Sequence, residues 1–389
     1  MTYNIILVTL DGLRNDRIFS SEYMKKFSKE SWFFSNMITA APYTLASLHA
    51  IFSGMYPSKN GVNGYYRMFK FKKDHVITLT EVLQKNGFYT SCDIIDEIIV
   101  PEKGFSERNI FDEKTVDFKK RHSDLIKKMS KKEKFFLFLH YTEPHRNLVE
   151  ELNKITTHDE YIKSKKKLST HLDDPFFDQR KENENRYDSY MPDLENYIKT
   201  ILDTISECGI QDKTILIFHA DHGTSLGEKR GEKFYGVFTY DYTVKVFSFI
   251  KVPGKKSQKI DYQCRTIDLF STILELCQID PKQIPSAVQG ESLLPFISQN
   301  ESSDRKAFVE TGGLYGPWPS PNKHNVFCFR HQGKKIIYND TPNNWEFYDL
   351  KNDPHEVNNL FDEGDKETQL YKNELIKFLK LNEISTQIS

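Results

Sequence analysis

Apolar and polar positions follow two regimes along this chain. In the first, mostly apolar runs at Asn4–Leu10, Trp32–Ile38, Phe135–His140, Thr214–His219 and Val246–Ile250 have the length and content of buried strands. Between them, apolar side chains recur at helical spacing in Glu22–Glu30, Leu79–Asn86, Tyr187–Cys208 and Thr266–Cys277. That alternation predicts an α/β fold, a three-layer α/β/α sandwich around a mostly parallel sheet. From about Glu301 the second regime begins, with strand candidates at Lys306–Thr311, Val326–Arg330, Lys334–Tyr338 and Trp345–Tyr348 and a closing helix at Lys366–Leu379. It predicts a small antiparallel sheet with a covering helix. The expected organisation is a catalytic domain over 1–300 and a small α+β subdomain over 301–389 packed on it. A polar insert at about 147–185 lacks a sustained apolar period and reads as a solvated excursion, either a cap over a crevice or an ordinary surface loop.

Composition narrows the function classes. Lys and Arg number 54 against 55 Asp and Glu, a net charge of -1, so the chain carries no field for nucleic acid or an anionic membrane, and an anionic substrate needs a local site. The apolar run after Met1 is too short to span a bilayer and leads into Asp11, Arg14 and Asp16, so it reads as a strand and not as a leader or membrane anchor. Five cysteines, Cys92, Cys208, Cys264, Cys277 and Cys328, show no metal-ribbon spacing, and an odd number argues against a complete disulfide framework. They read as reduced thiols of a cytoplasmic protein. Nothing in the composition opposes a homo-oligomer.

Chemistry in a mostly parallel sheet gathers beyond the carboxyl ends of the strands. Asp11 follows the first strand directly, beside a glycine that permits close approach, and a later strand delivers Asp221 and His222 together. Two carboxylates and an imidazole suit one divalent cation, Mn²⁺, Zn²⁺, Mg²⁺ or Ca²⁺. On its own, Asp221-His222-Gly223 reads more readily as a turn in which Asp caps and Gly reverses the chain. Thr44 precedes an apolar helical pattern (Leu45, Leu48, Ile51, Phe52) and takes the place of an N-cap, with Ser47 at the third helical position. It is either a plain cap or a hydroxyl activated by a cation and by the positive end of the helix.

Taken together, these segments resemble the sulfatase and alkaline phosphatase superfamily over nearly the whole chain. Thr44–Pro57, ending Ser53-Gly54-Met55-Tyr56-Pro57, is similar to the nucleophile helix, and Leu139–His145 to the segment that brings a pocket histidine. Asp221-His222-Gly223 with Gly227-Glu228 is similar to the second metal motif. Thr266–Leu276, Gly290–Pro295 and Trp345–Leu360 resemble C-terminal signatures. The departures bear on the reaction. Sulfatases carry a cysteine or serine, matured to formylglycine, where this chain has Thr44, and a Pro and an Arg where it has Ala46 and Leu48. Gly12 stands where many have a second aspartate.

The resemblance implies one divalent metal held by Asp11, Thr44, Asp221 and His222, as in lipoteichoic acid synthases and phosphoethanolamine transferases; phosphonate monoester hydrolases are similar too, apart from the nucleophile. It implies His145 as acid or base, Lys233 as a cation for the transferred group and, around them, substrate contacts from Asn63, Arg67 and Lys229. The leading expectation is a hydrolase or transferase acting on a phosphate ester or phosphodiester of a small molecule or glycan, through a covalent phosphothreonine at Thr44. The alternatives are a sulfuric ester hydrolase and, from another class, a catalytically inactive binding protein. The loop Glu310–Pro319, rich in glycine and aromatic residues, is suited to line the pocket.

Overall fold

The computed structural model describes residues 3–64, 72, 74–153, 172, 174–299, 301–312 and 325–388. Its centre is a nine-stranded sheet ordered β4-β3-β5-β1-β6-β7-β2-β8, with β9 paired to β2. In chain order these strands are β1 (Asn4–Leu10), β2 (Trp32–Ile38), β3 (Tyr89–Ile94), β4 (Glu107–Ile110), β5 (Phe135–Tyr141), β6 (Thr214–His219), β7 (Lys245–Lys251), β8 (Gln258–Ile260) and β9 (Cys264–Arg265). Among the described strands of this sheet only β7 runs against its neighbours, β6 and β2; the other pairings are parallel. The carboxyl ends of β1, β2, β5 and β6 therefore open onto one edge.

Strands β1, β5 and β6 are buried along their whole length, which is why they read as mostly apolar runs. Helices cover both faces. Phe27, from the helix Glu22–Ser28, packs edge-on to Phe218 of β6 at 5.2 Å, and Phe52, from the helix Thr44–Ser53, packs edge-on to Phe138 of β5 at 5.1 Å. In register Phe218 aligns with Val8 and Phe138 with Leu7, so the two contacts lie on opposite faces of the sheet. The first face also carries Phe118–Met129 and Met191–Glu207, the second Leu79–Lys85 and Asp268–Leu276.

A separate antiparallel sheet runs in sequence order through β10 (Ala307–Gly312), β11 (Asn325–His331), β12 (Lys334–Asn339) and β13 (Asn344–Asp349). The helix Lys366–Leu381 covers one face through Tyr371, Leu375 and Phe378. The other face packs Val309, Cys328 and Ile337 with Ile38, Val237 and Val244 of the larger sheet's surroundings.

Several elements differ from the expectation. Residues 147–153, placed in the polar insert, continue the helix Glu143–Asn153, and Leu148 and Val149 join the main core; the apolar pair is too short a signal to stand out among charges. The single helix expected over Tyr187–Cys208 is two, Arg180–Ser189 and Met191–Glu207, because Pro192 has no N–H to continue the first ladder. Finally β3 and the charged helix Phe118–Met129 were not foreseen.

Candidate functional site

The edge onto which the parallel strands open holds the cluster. Asp11 leaves the end of β1, Asp221 and His222 follow β6, and Thr44 begins the helix after β2. One ligand atom from each of Asp11, Asp221 and His222 lies within 4.8 Å of the others, and all three residues are buried. Thr44 Oγ1 stands 3.1 Å from His222 Nε2 and 3.4 Å from Asp11 Oδ1. Thr44 is the first residue of its helix and not the cap, a position taken by Tyr43 with no side-chain cap bond. The difference frees the chemistry: a capping hydroxyl would be occupied by its own helix amide, whereas this one faces the carboxylate and the imidazole. Ser47, one turn on, donates to the Asp221 carbonyl at 2.8 Å and so ties the helix that Thr44 begins to the segment of Asp221 and His222.

Hydrogen bonds set the orientation of the ligands. His222 Nδ1 lies 2.7 Å from the Gly223 carbonyl, which only accepts, so Nδ1 carries the proton and Nε2 presents its lone pair to Thr44 and Asp11. Asp221 Oδ1 accepts from the amides of Gly12 at 3.2 Å and His222 at 3.0 Å. Its Oδ2 is buried and has no hydrogen-bond partner among the described residues. Two buried carboxylates and an imidazole, with one oxygen left unanswered, fit a divalent cation. Burial disfavours the charge on Asp11, yet the fields of His145, His140 and His222 and a hydrogen bond from His140 outweigh it and hold the carboxyl far below the usual range. Asp221 moves the other way, raised above all by burial.

Gly12 shows why no second aspartate follows Asp11. Its φ is +63°, and a Cβ there would stand 2.6 Å from His145 Nδ1 and 2.8 Å from Thr224 Oγ1. The close packing seats His145, which is buried with its ring 5.7 Å from that of His222. His140, at the end of β5, donates from Nε2 to Asp11 Oδ2 at 3.0 Å and fixes the carboxylate from behind. Arg14, buried, forks onto Asp16 and reaches Glu228 at 2.6 Å and the Thr224 carbonyl at 2.8 Å, which joins the loop after β1 to the loop after β6. Neither His140 nor Arg14 figured as a functional residue in the sequence. The available signal was a polar residue inside or directly after an apolar strand.

Two cations expected around the centre, Lys233 and Lys229, have partners of their own in this structure. Lys233 pairs with Asp174 at 3.0 Å and lies over the Phe176 ring, so the polar insert supplies its countercharge. Lys229 donates to the Glu356 carbonyl and stands over the Tyr240 ring, on the side of the antiparallel sheet. Asn63 is exposed, and its backbone carbonyl lies against Gly312 at the end of β10. Arg67 lies outside the described residues, as does most of the loop expected to line the pocket from Glu310 to Pro319.

The sulfatase family model covers residues 3–279, and a second, for the C-terminal region of N-sulphoglucosamine sulphohydrolase, covers 231–384. The chain belongs to the sulfatase family. Members of its superfamily use a divalent metal ion, in keeping with the Asp11, Asp221 and His222 cluster. Among curated relatives, the chain is 30% identical over 212 residues to an N-acetylglucosamine-6-O-sulfatase of Bacteroides thetaiotaomicron, a match covering 50% of this chain and 36% of that protein. It is 27% identical over 208 residues to an ulvan-active sulfatase of Formosa agariphila, covering 52% of this chain and 39% of that one. The matches thus span well under half of those relatives. In structure it is similar to a 2-O GAG sulfatase (TM-score 0.81, 16% identity, 98% of this chain and 93% of the other) and to the phosphonate monoester hydrolase of Agrobacterium radiobacter (TM-score 0.72, 14% identity, 98% and 96%). No helix among the described residues of this sulfatase-family chain is long and apolar enough to cross a membrane, and all five cysteines are free thiols.

Proposed function

We propose that this chain is a metal-dependent hydrolase of anionic esters, with a sulfate ester as its first substrate class and Thr44 as its nucleophile. The carrying observation is the Thr44 hydroxyl, set between Asp11 and His222 at the start of a helix and not consumed as a cap. The names of the relatives, sulfatases of sugars and polysaccharides, support the sulfate class. Asp11, Asp221 and His222, with Thr44 as a fourth donor, would hold the cation, Mn²⁺, Zn²⁺, Mg²⁺ or Ca²⁺. When bound, it supplies positive charge that eases loss of the hydroxyl proton and offsets charge on the group under attack. Thr44 Oγ1 gives up its proton to solvent and forms a bond to the sulfur or phosphorus as the bond to the leaving oxygen breaks. His145, seated against Gly12, gives that oxygen its proton. Water then attacks the sulfur or phosphorus of the Thr44 ester: sulfate or phosphate departs with the water oxygen, one water proton restores the Thr44 hydroxyl and the other returns to His145. Transfer to a sugar hydroxyl in place of water follows the same course.

A phosphate ester or diester is the second reading, favoured by the residue at 44 itself. Threonine is not a formylglycine precursor, and an ordinary alkoxide that forms and then loses a phosphoryl ester needs no modification. A panel of 4-nitrophenyl sulfate, 4-nitrophenyl phosphate, bis(4-nitrophenyl) phosphate and a phenylphosphonate ester, each with the four metals, separates the readings. Fastest turnover of the sulfate supports the first, and turnover confined to the phosphorus esters establishes the second. Thr44→Ala should lower turnover of the best substrate by about 10²–10⁴-fold while Thr44→Ser retains measurable activity. A plain structural threonine would cost stability and leave the rate untouched.

A further inference from the structure

We infer that Tyr235 is a positioning residue whose aromatic ring sets the relative placement of His145, His222 and the start of the nucleophile helix. The inference rests on the site described above. Its ring centroid lies 4.9 Å from that of His222 and 4.8 Å from that of His145, at interplanar angles of 33° and 53°. The same side chain packs against the apolar cluster of Ala41, Tyr43, Leu45, Ala46 and Val62, which flanks Thr44 on both sides in sequence. One ring thus touches all three elements, which come from the ends of three different strands. His145 and His222 themselves meet nearly edge to face at 5.7 Å, and the tyrosine ring adjoins both.

The backbone that carries Tyr235 is built to aim it. Phe234, directly before it, has φ +74°, a left-handed conformation that a bulky side chain adopts only where its surroundings impose it. Those surroundings are on both sides. The Phe234 carbonyl accepts from the Ser225 amide at 2.5 Å, and its buried ring packs on Phe176 at 5.4 Å. Buried Glu232 accepts from the amides of Val237 and Phe238, both at 2.8 Å, and closes the loop behind the tyrosine. A strained turn anchored at each end, with an aromatic ring at its tip against two imidazoles, is a device for holding those rings still.

Tyr235→Leu removes the flat ring while keeping an apolar side chain, and Tyr235→Phe keeps the ring. We expect Tyr235→Leu to lower kcat on the best ester of the panel by about 10–100-fold with KM little changed, as follows from misplacement of reacting groups. It should also weaken Mn²⁺ binding, read by titration calorimetry, by about 10-fold, as loss of a ligand-orienting neighbour does. Tyr235→Phe should restore most of both losses. A Tyr235→Leu protein within about twofold of wild type in kcat and in Mn²⁺ affinity overturns the inference, and so does a Tyr235→Phe protein as impaired as the leucine variant. If no ester of the panel is turned over, the Mn²⁺ titration alone decides, so a failure of the proposed reaction is told apart from a failure of this role. A wild-type protein that binds no Mn²⁺ and turns over no ester removes both.

Discussion

Two buried clusters of charge in this protein are built on opposite plans. Beneath the antiparallel sheet, Asp241 meets Arg330 at 2.9 Å, while Lys335 meets Asp241 and lies 2.7 Å from Glu356, whose other oxygen accepts the Asp241 amide at 2.6 Å. Two fixed cations answer two carboxylates, and the network is closed. At the strand ends, Asp11 and Asp221 converge with no Lys or Arg on either among the described residues, only histidines, and Asp221 Oδ2 has no partner. Burial of charge alone does not mark a functional site. An acidic cluster left short of positive charge does, since the fold leaves a place for a cation that the closed network has already filled.

The largest effect that tests this contrast is expected from Asp221→Asn. It should abolish metal binding and lower turnover by at least ~10⁴-fold with the fold kept, because that carboxylate serves an ion and not the core. Metal content and thermal melting of the purified variant check both halves, and full occupancy with normal turnover would remove Asp221 from the site. Lys335→Met is the converse experiment. It strands Asp241 and Glu356 without one of their cations and should cost about 3–5 kcal/mol in chemical denaturation, with metal content unchanged. Loss of metal in that variant would show that the two clusters are coupled.

The smallest effect concerns a third buried carboxylate that belongs to neither cluster. Glu310 accepts from the Ser58 amide at 3.1 Å and its hydroxyl at 2.8 Å, and burial pushes its carboxyl from 4.5 up to about 7. In the unfolded chain it ionises at the lower value, so between these two the folded state holds the extra proton. Stability is therefore lost as pH rises through that window. Glu310→Gln keeps an acceptor for Ser58 and should flatten the loss, gaining about 1–3 kcal/mol at pH 8 relative to wild type. An unchanged pH profile of stability in the glutamine variant would show that Glu310 does not ionise on its own.

Much of the fold was legible because burial on both faces leaves a direct trace. Strands β1, β2, β5, β6 and β7 are apolar runs, and the four strands of the second sheet fall within a residue or so of the expected ranges. Strand β3, Tyr-Thr-Ser-Cys-Asp-Ile, left no such trace. It is nonetheless buried, because Thr90 donates to the Gly104 carbonyl and Asp93 is met by Arg121 and His122. Those partners lie up to 29 residues away and cannot be read locally. The same limit applies to the lysines. Lys233 and Lys229 were placed by their distance from Gly227-Glu228, whereas their acceptors, Asp174 and the Glu356 carbonyl, come from elsewhere in the chain.

What the sequence determined by itself was the inventory of the centre: a carboxylate after the first strand, Asp221-His222 after a later one, and a threonine before an apolar helix. Strand ends and helix starts are local features, and residues at them are identifiable without knowing their neighbours. Tertiary structure alone decided how those groups face one another. It turned Thr44 from cap to first helical residue, left Asp221 Oδ2 unanswered, set His140 behind Asp11, and brought Tyr235 against both imidazoles. Each of these depends on pairings between strands more than a hundred residues apart, and the chemistry of a metal-binding hydrolase depends on distances that only such pairings fix.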